Sequence, residues 1–173
     1  CTRNSQPPPL RDECKGWPLK PPRSNTRFLY SVQAGDLPQT ASGETLVGLA
    51  LSLTVRDTPE THEEWLGIRR AFVERLRRKG LERLHWLTEW QKRGAPHLHA
   101  AAWFRLSDVL ALGHRMDLNV STPLLVSSLI ACLATSDWLQ VSAPFRSSSL
   151  SQHVSPIHDE VGWLQYLSKH ASR

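Results

Sequence analysis

The clearest periodic signal is an uncharged run, Leu46–Val55, reading L-V-G-L-A-L-S-L-T-V. It is apolar enough to form a strand in the middle of a sheet. A change of period follows, with Trp65, Ile68, Phe72 and Leu76 falling on one stripe of a helix. Thr58 is its expected cap, Pro59 suits its first turn, and Glu60, Glu63 and Glu64 face the positive end of its dipole. Arg77, Arg78 and Lys79 fill the last turn and Gly80 ends it. Next comes a hairpin: Leu84–Trp90 is apolar and aromatic, and K-R-G-A-P supplies a turn in which Gly94 can take positive φ and Pro96 ends the loop.

Beyond the hairpin the pattern predicts a short helix near Ser107–Leu112. A longer one starts at Ser121 or Thr122, with Pro123 in its first turn, and runs to about Leu139. A last strand is expected at Ser151–Ile157 and a last helix at Asp159–His170. Upstream, Arg27–Gln33 reads as a short edge strand. Cys1–Thr26 holds six of the twelve prolines and reads as an extended or disordered arm. The order β-α-β-β-α-β-α predicts an α+β fold of the ferredoxin-like, split β-α-β kind, an antiparallel sheet with helices on one face. The expected domains are a Pro-rich arm over residues 1–26 and one folded unit over residues 27–173, without internal repeat.

Composition narrows the classes. A chain of 173 residues supports one domain with a proper core. The net charge of +5 is local: Arg69, Arg70, Arg75, Arg77, Arg78, Lys79 and Arg83 stand against Glu74 and Glu82, and the remainder sums to zero. Such a run suits a polyanionic partner or is only a solvated helix face. Three cysteines without C-x-x-C spacing point to neither a disulfide framework nor a zinc knuckle, and Cys132, in an apolar run, is expected to be buried. No signal peptide is visible, a reducing cytoplasm fits, and the start at Cys1 points to a trimmed chain. Pro123–Leu133 is too short to span a bilayer, so a soluble protein is expected. Of the seven tryptophans, Trp86 and Trp90 are expected in the core beneath the helices.

The chemistry concentrates in Glu89–His99. His97 and His99 flank one leucine and on a strand share a face, expected to be partly exposed. Glu89 would lie opposite one or the other, at the roughly 4.5–5.5 Å of directly opposed Cβ atoms. A carboxylate and two neutral imidazoles suit a divalent cation (Mn, Mg or Zn) with positions left for substrate oxygens, and manganese or magnesium is the expected ion. Gln91 shares the face and is the substitute ligand. Near the end, Tyr166 and Lys169 lie three apart on one helix face. Lys92 and Arg93, at the turn, are candidates for holding the phosphates of a polyanionic partner, with Arg77 and Arg78 a second basic candidate surface. His170 can also reach the tyrosine's surroundings. His62, His85, His114, His153 and His158 show no ligand partners in the sequence, and Tyr30 lies apart from the motif.

With E-x7-H-x-H followed downstream by Y-x-x-K, the sequence resembles the HUH endonucleases. It is most similar to the rolling-circle replication initiator (Rep) proteins of plasmids and small phages. The resemblance runs from about Leu46 to Lys169 and is specific at those two motifs. It implies that Glu89, His97 and His99 hold the metal on a sheet of the predicted kind, with Tyr166 as nucleophile and Lys169 beside it. The tyrosine follows the His pair, as in Rep proteins and single-tyrosine transposases and unlike conjugative relaxases. Many Rep proteins continue into a helicase domain, whereas this chain stops seven residues after the tyrosine.

The implied reaction is nicking and rejoining of single-stranded DNA through a 5′-phosphotyrosine, leaving a 3′-hydroxyl that primes synthesis. The implied partners are origin DNA in a hairpin context and a host helicase and polymerase, with no membrane. Two other readings stay open. A single-tyrosine HUH transposase would draw its third ligand from the tyrosine helix, where Gln165 and His170 are candidates. A non-catalytic zinc-stabilised nucleic-acid-binding module would need a fourth ligand in a closed site.

Overall fold

A strand as apolar as Leu46–Val55 needs cover on both faces, and it has it. In the computed structural model, whose described residues are 37–171 with side chains described to Leu167, β1 (Leu46–Thr54) is an inner strand of a four-stranded sheet. The others are β2 (Leu81–Trp90), β3 (Pro96–Arg105) and β4 (His153–Pro156), in spatial order β2-β3-β1-β4. Every pairing is antiparallel. This is the predicted α+β, split β-α-β sheet. The expected arm over residues 1–26, the edge strand at Arg27–Gln33 and Tyr30 lie outside the described residues.

Helix α1 (His62–Arg77) connects β1 to β2. Its cap is Thr61, three residues later than Thr58. Thr61 Oγ1 accepts from the Glu64 amide at 3.2 Å, and the Glu64 carboxylate accepts from the Thr61 amide at 3.3 Å. This reciprocal T-x-x-E box satisfies two helix-end donors at once, which a lone Thr58 cannot. Thr58 instead donates to the carbonyl of Gly94. Gly80, at φ +89°, turns the chain into β2.

The predicted short helix is a full one, α2 (Leu106–Arg115), so the order is β-α-β-β-α-α-β-α. Helix α3 (Pro123–Val141) is capped by Thr122. By length and composition alone it could cross a bilayer, and it runs well past Leu133. Here it packs Val126, Ile130, Ala134 and Trp138 into the core, and its buried Asp137 pairs with Lys79 at 2.6 Å. Cys132, expected to be buried, sits on its exposed side. The helix presents one stripe to the sheet, and Cys132 falls off it.

Helix α4 (Glu160–Ala171) corrects the expectation of helices on one face. Leu49, Leu51, Leu53, Leu98, Ala100 and Ala102 form the core with α1 and α3. A second, smaller cluster joins Leu87, Ala101 and Trp103 to Leu164 and Leu167 of α4 on the opposite face. Alternation along β3 assigns even residues to the first face and odd residues to the second. His97 and His99 therefore face the α4 side. Each fully buried leucine contributes about 1.5–3 kcal/mol relative to exposure, so the larger cluster carries most of the stability and the smaller one positions α4.

Trp90 packs against the main core as expected. Trp86 faces α1 too, yet is 43% exposed, because it stands beside an open cavity rather than beneath the helix.

Candidate functional site

The β2–β3 hairpin turns through Gln91–Ala95, with the Gln91 amide donating to the Ala95 carbonyl at 3.0 Å and Gly94 at φ +79°. That loop sets the register, which pairs Glu89 with His97 and Leu87 with His99. The backbone thus opposes Glu89 to His97, while its carboxylate reaches diagonally to Nε2 of His99 at 3.2 Å. Oxygen and nitrogen donors of Glu89, His97 and His99 all lie within 4.8 Å of one another. Modest side-chain rotation brings such a set to the roughly 2.0–2.2 Å from one ion that imidazole and carboxylate ligands take. Among the described residues this is the one group of three or more such ligands.

The two histidines differ in setting. His97 is half-buried, whereas His99 is 2% exposed and not on a partly exposed face. Ser52 of β1, paired with His99 in the sheet, places Oγ 3.0 Å from Nδ1. A proton held on Nδ1 by that hydroxyl leaves Nε2 with the lone pair a cation requires. Gln91 lies beside His97, its amide nitrogen 3.3 Å from Nδ1. Its amide is placed to orient the His97 ring.

Tyr166 reaches this face from α4, whose first turn is held by Asp159 accepting from the Gly162 amide at 2.9 Å. The Tyr166 ring meets His99 edge-on, centroids 5.6 Å apart. Trp163, one helical turn earlier, stacks on Tyr166 at 4.8 Å and donates from Nε1 to the Ala100 carbonyl at 3.2 Å. The phenol is thereby fixed beside the ligand cluster while 36% exposed. Burial, with the Glu89 charge adding to it, pushes the Tyr166 phenol above its usual range. Without a cation the site therefore favours the neutral phenol, and positive charge at the triad opposes that shift.

The basic candidates divide. Lys92 is exposed on the loop beside Glu89, lining an open cleft with Glu89, Trp90, Gln91 and Arg93. Arg93 is engaged internally: its guanidinium donates to Gln91 Oε1 at 2.8 Å, Thr54 Oγ1 at 3.1 Å and the carbonyls of Val55 and Arg56. It braces the hairpin loop against the end of β1. Arg77 and Arg78 are exposed at the end of α1, before β2 begins. Glu89 lies at the far end of that strand, about 27 Å away along β2, so these arginines do not meet the triad. The Lys169 and His170 side chains lie outside the described residues. Among the other histidines, His85 packs edge-on against Trp103, and burial lowers its pKa.

Sequence reasoning passed over Ser52 and Trp163. Ser52 was detectable as a hydroxyl inside an otherwise apolar strand, and Trp163 as an aromatic one turn before the tyrosine.

Comparison with known proteins agrees in direction. The chain is 40% identical over 163 residues to a replication-associated protein of Pseudomonas phage Pf3, covering 94% of this chain and 50% of that protein. It is 42% identical over 165 residues to a Xylella fastidiosa (strain 9a5c) protein provisionally named a replication protein, covering 94% of this chain and 48% of the relative. A similarly named protein of Xylella fastidiosa strain Temecula1 is 40% identical over 163 residues. No family model and no solved structure matches the chain. The chain is a homologue of these replication-associated proteins and spans about half their length.

Proposed function

We propose that this chain is the nicking and joining domain of a replication initiator of the HUH type, acting on single-stranded origin DNA to start rolling-circle replication. The observation that carries the reading is the convergence of Glu89, His97 and His99 beside the Tyr166 ring. The homology to replication proteins supports it. So does the third ligand, the Glu89 carboxylate, lying on the hairpin rather than on the tyrosine helix, which favours an initiator over a transposase. A divalent ion, manganese or magnesium, bound by the triad supplies Lewis-acid polarisation of a phosphate oxygen.

The chain's own residues do the rest. Tyr166 Oη attacks phosphorus in line, forming the P–O bond to tyrosine as the bond to the 3′-oxygen breaks. The phenol proton leaves to solvent and the departing 3′-oxygen takes one up, giving a 5′-phosphotyrosine and a 3′-hydroxyl. Rejoining is the reverse, and it needs no ATP because the phosphodiester energy is kept in the protein linkage. Lys169, one turn beyond Tyr166, is the expected partner for the phenolate or the phosphate. Lys92, Arg77 and Arg78 are the proposed DNA contacts, with Lys92 nearest the triad, and Arg93, its guanidinium spent on the loop, would act by presenting Lys92. The partners are then an origin strand in a hairpin context and the host helicase and polymerase, in the cytoplasm.

The deciding experiment incubates the protein with single-stranded oligonucleotides carrying origin hairpins and Mn or Mg, then runs a denaturing gel. A covalent protein–DNA band is expected. A folded, metal-binding protein that forms none overturns the reading.

A further inference from the structure

On the face of the sheet away from the triad, α1 and β2 leave a cavity of about 280 Å³. That is just under the range of ligand pockets, roughly 300–1,000 Å³, and it suits a single planar ring system. Phe72 and Leu84 line its apolar wall, and Arg69, Arg70, Arg77 and Trp86, with the carboxylate of Glu74, its polar side. Arg69 is unusual, being 8% exposed, with its guanidinium carbon 3.9 Å from the centre of the Trp86 ring. Its Nε is buried with no hydrogen-bond partner among the described residues. Burial, with the Arg70 charge adding to it, pushes the Arg69 guanidinium down to about 10.

A buried guanidinium is costly unless acceptors or an anion stand near it. The nearby cations divide as the cavity requires. Arg75 and Lys79 are paired with Asp137, whereas Arg70 and Arg77 stay at the rim. An exposed indole, a stacked guanidinium and two rim arginines form a recognised chemistry for single-stranded nucleic acid, in which bases stack on aromatics and phosphates lie on cations. Among the described residues β2 is an outer strand, and Trp86 is three residues from Glu89, about 10 Å along the strand. A strand of DNA can thus pass around this edge from the triad face to the cavity.

We propose that the α1–β2 cavity takes one unstacked base of the single-stranded DNA held at the triad. The base packs in the cavity against the stacked Trp86–Arg69 pair, and its flanking phosphates sit on Arg70 and Arg77. This rests on the reading of the chain as a single-strand nicking domain, and it adds a second DNA contact on the opposite face.

The test uses the full chain and single-stranded oligonucleotides bearing 5-bromodeoxyuridine at successive positions. Irradiation should link one position to the peptide containing Trp86. Trp86→Leu should abolish that crosslink and weaken binding, read by fluorescence anisotropy, roughly five- to hundredfold. Trp86→Phe keeps a stacking face and should retain most of the affinity. Crosslinks of the wild type that map elsewhere, or Trp86→Leu binding as tightly as wild type, overturn the inference. Covalent adduct formation by the wild type is scored separately, so its failure, with DNA still bound at Trp86, would count against the nicking reading alone.

Discussion

Ser52 Oγ and His99 Nδ1 stand 3.0 Å apart across the β1–β3 pair, which ties the most buried ligand of the triad to a strand that contributes none. Loss of a partner that orients a metal-bound imidazole typically costs roughly 10–100-fold in metal affinity. Ser52→Ala should therefore weaken Mn binding by about that factor, measured calorimetrically, with the fold intact by circular dichroism. Unchanged affinity would make the hydroxyl a packing detail.

The ligands themselves should separate by burial. His97→Ala and Glu89→Ala are expected to abolish high-affinity metal binding and cleavage at little cost to the fold, with Glu89→Gln milder. His99→Ala should do the same and also lower stability by about 1–3 kcal/mol, because its buried polar interactions with Ser52 and Glu89 go with it. Urea unfolding of the three variants reads the difference. Full cleavage by a His97/His99 double alanine variant would end the metal-centre reading.

Tyr166→Phe removes one oxygen and keeps the ring against His99 and Trp163. It should bind metal and DNA normally and form no covalent adduct, while Tyr30→Phe forms adduct as wild type. Lys169→Ala should slow adduct formation without eliminating it. Persistent cutting by Tyr166→Phe would indicate a water nucleophile and a nuclease unable to rejoin strands.

The raised Tyr166 phenol gives a pH prediction. In a Tyr30→Phe background a single phenol titrates, and its ultraviolet phenolate signal should appear only above the ordinary pKa of about 10. Burial and the Glu89 charge both favour the protonated form. Glu89→Gln should bring the midpoint down, and Mn added to the unmutated triad should bring it down further. A midpoint indifferent to both would disconnect the tyrosine from the cluster.

Salt dependence sorts the basic surfaces. Removing one cation that neutralises a phosphate should reduce the slope of log affinity against log salt by roughly 0.7 for single strands. Lys92→Glu is expected to flatten the slope at the hairpin loop, and the Arg77→Glu/Arg78→Glu pair at the far end of β2. A slope unmoved by either variant identifies that surface as merely solvated.

The clustering of the candidate site was legible because its residues are local. Glu89, His97 and His99 fall within one hairpin, and strand alternation with a glycine turn dictates their shared face. The tyrosine helix was legible as a helix, but its position was not. Nothing local in Trp163–Leu167 states which side of the sheet it covers, and Leu164 and Leu167 choose the face opposite α1. Arg69 and Trp86 were illegible for a related reason. A basic residue on a helix reads as solvent-facing and a tryptophan on a strand as buried, and here the two stack on each other beside a cavity, which inverts both. The cap at Thr61 was readable as a T-x-x-E box but was masked by the Thr58-Pro59 pair just before it.

The hairpin that carries all three ligands has a consequence for how the centre assembles. Its loop is short, so closing it costs little chain entropy, and the ligands come together as soon as β2 and β3 pair. Helix α4 must return from far along the chain, and it is held by a small cluster on its own face. Ion binding and covalent chemistry are therefore separable in folding terms. On the proposed reading, conditions that loosen α4 alone would leave a protein that still holds a strand but cannot cut it, a blocker in place of a nickase.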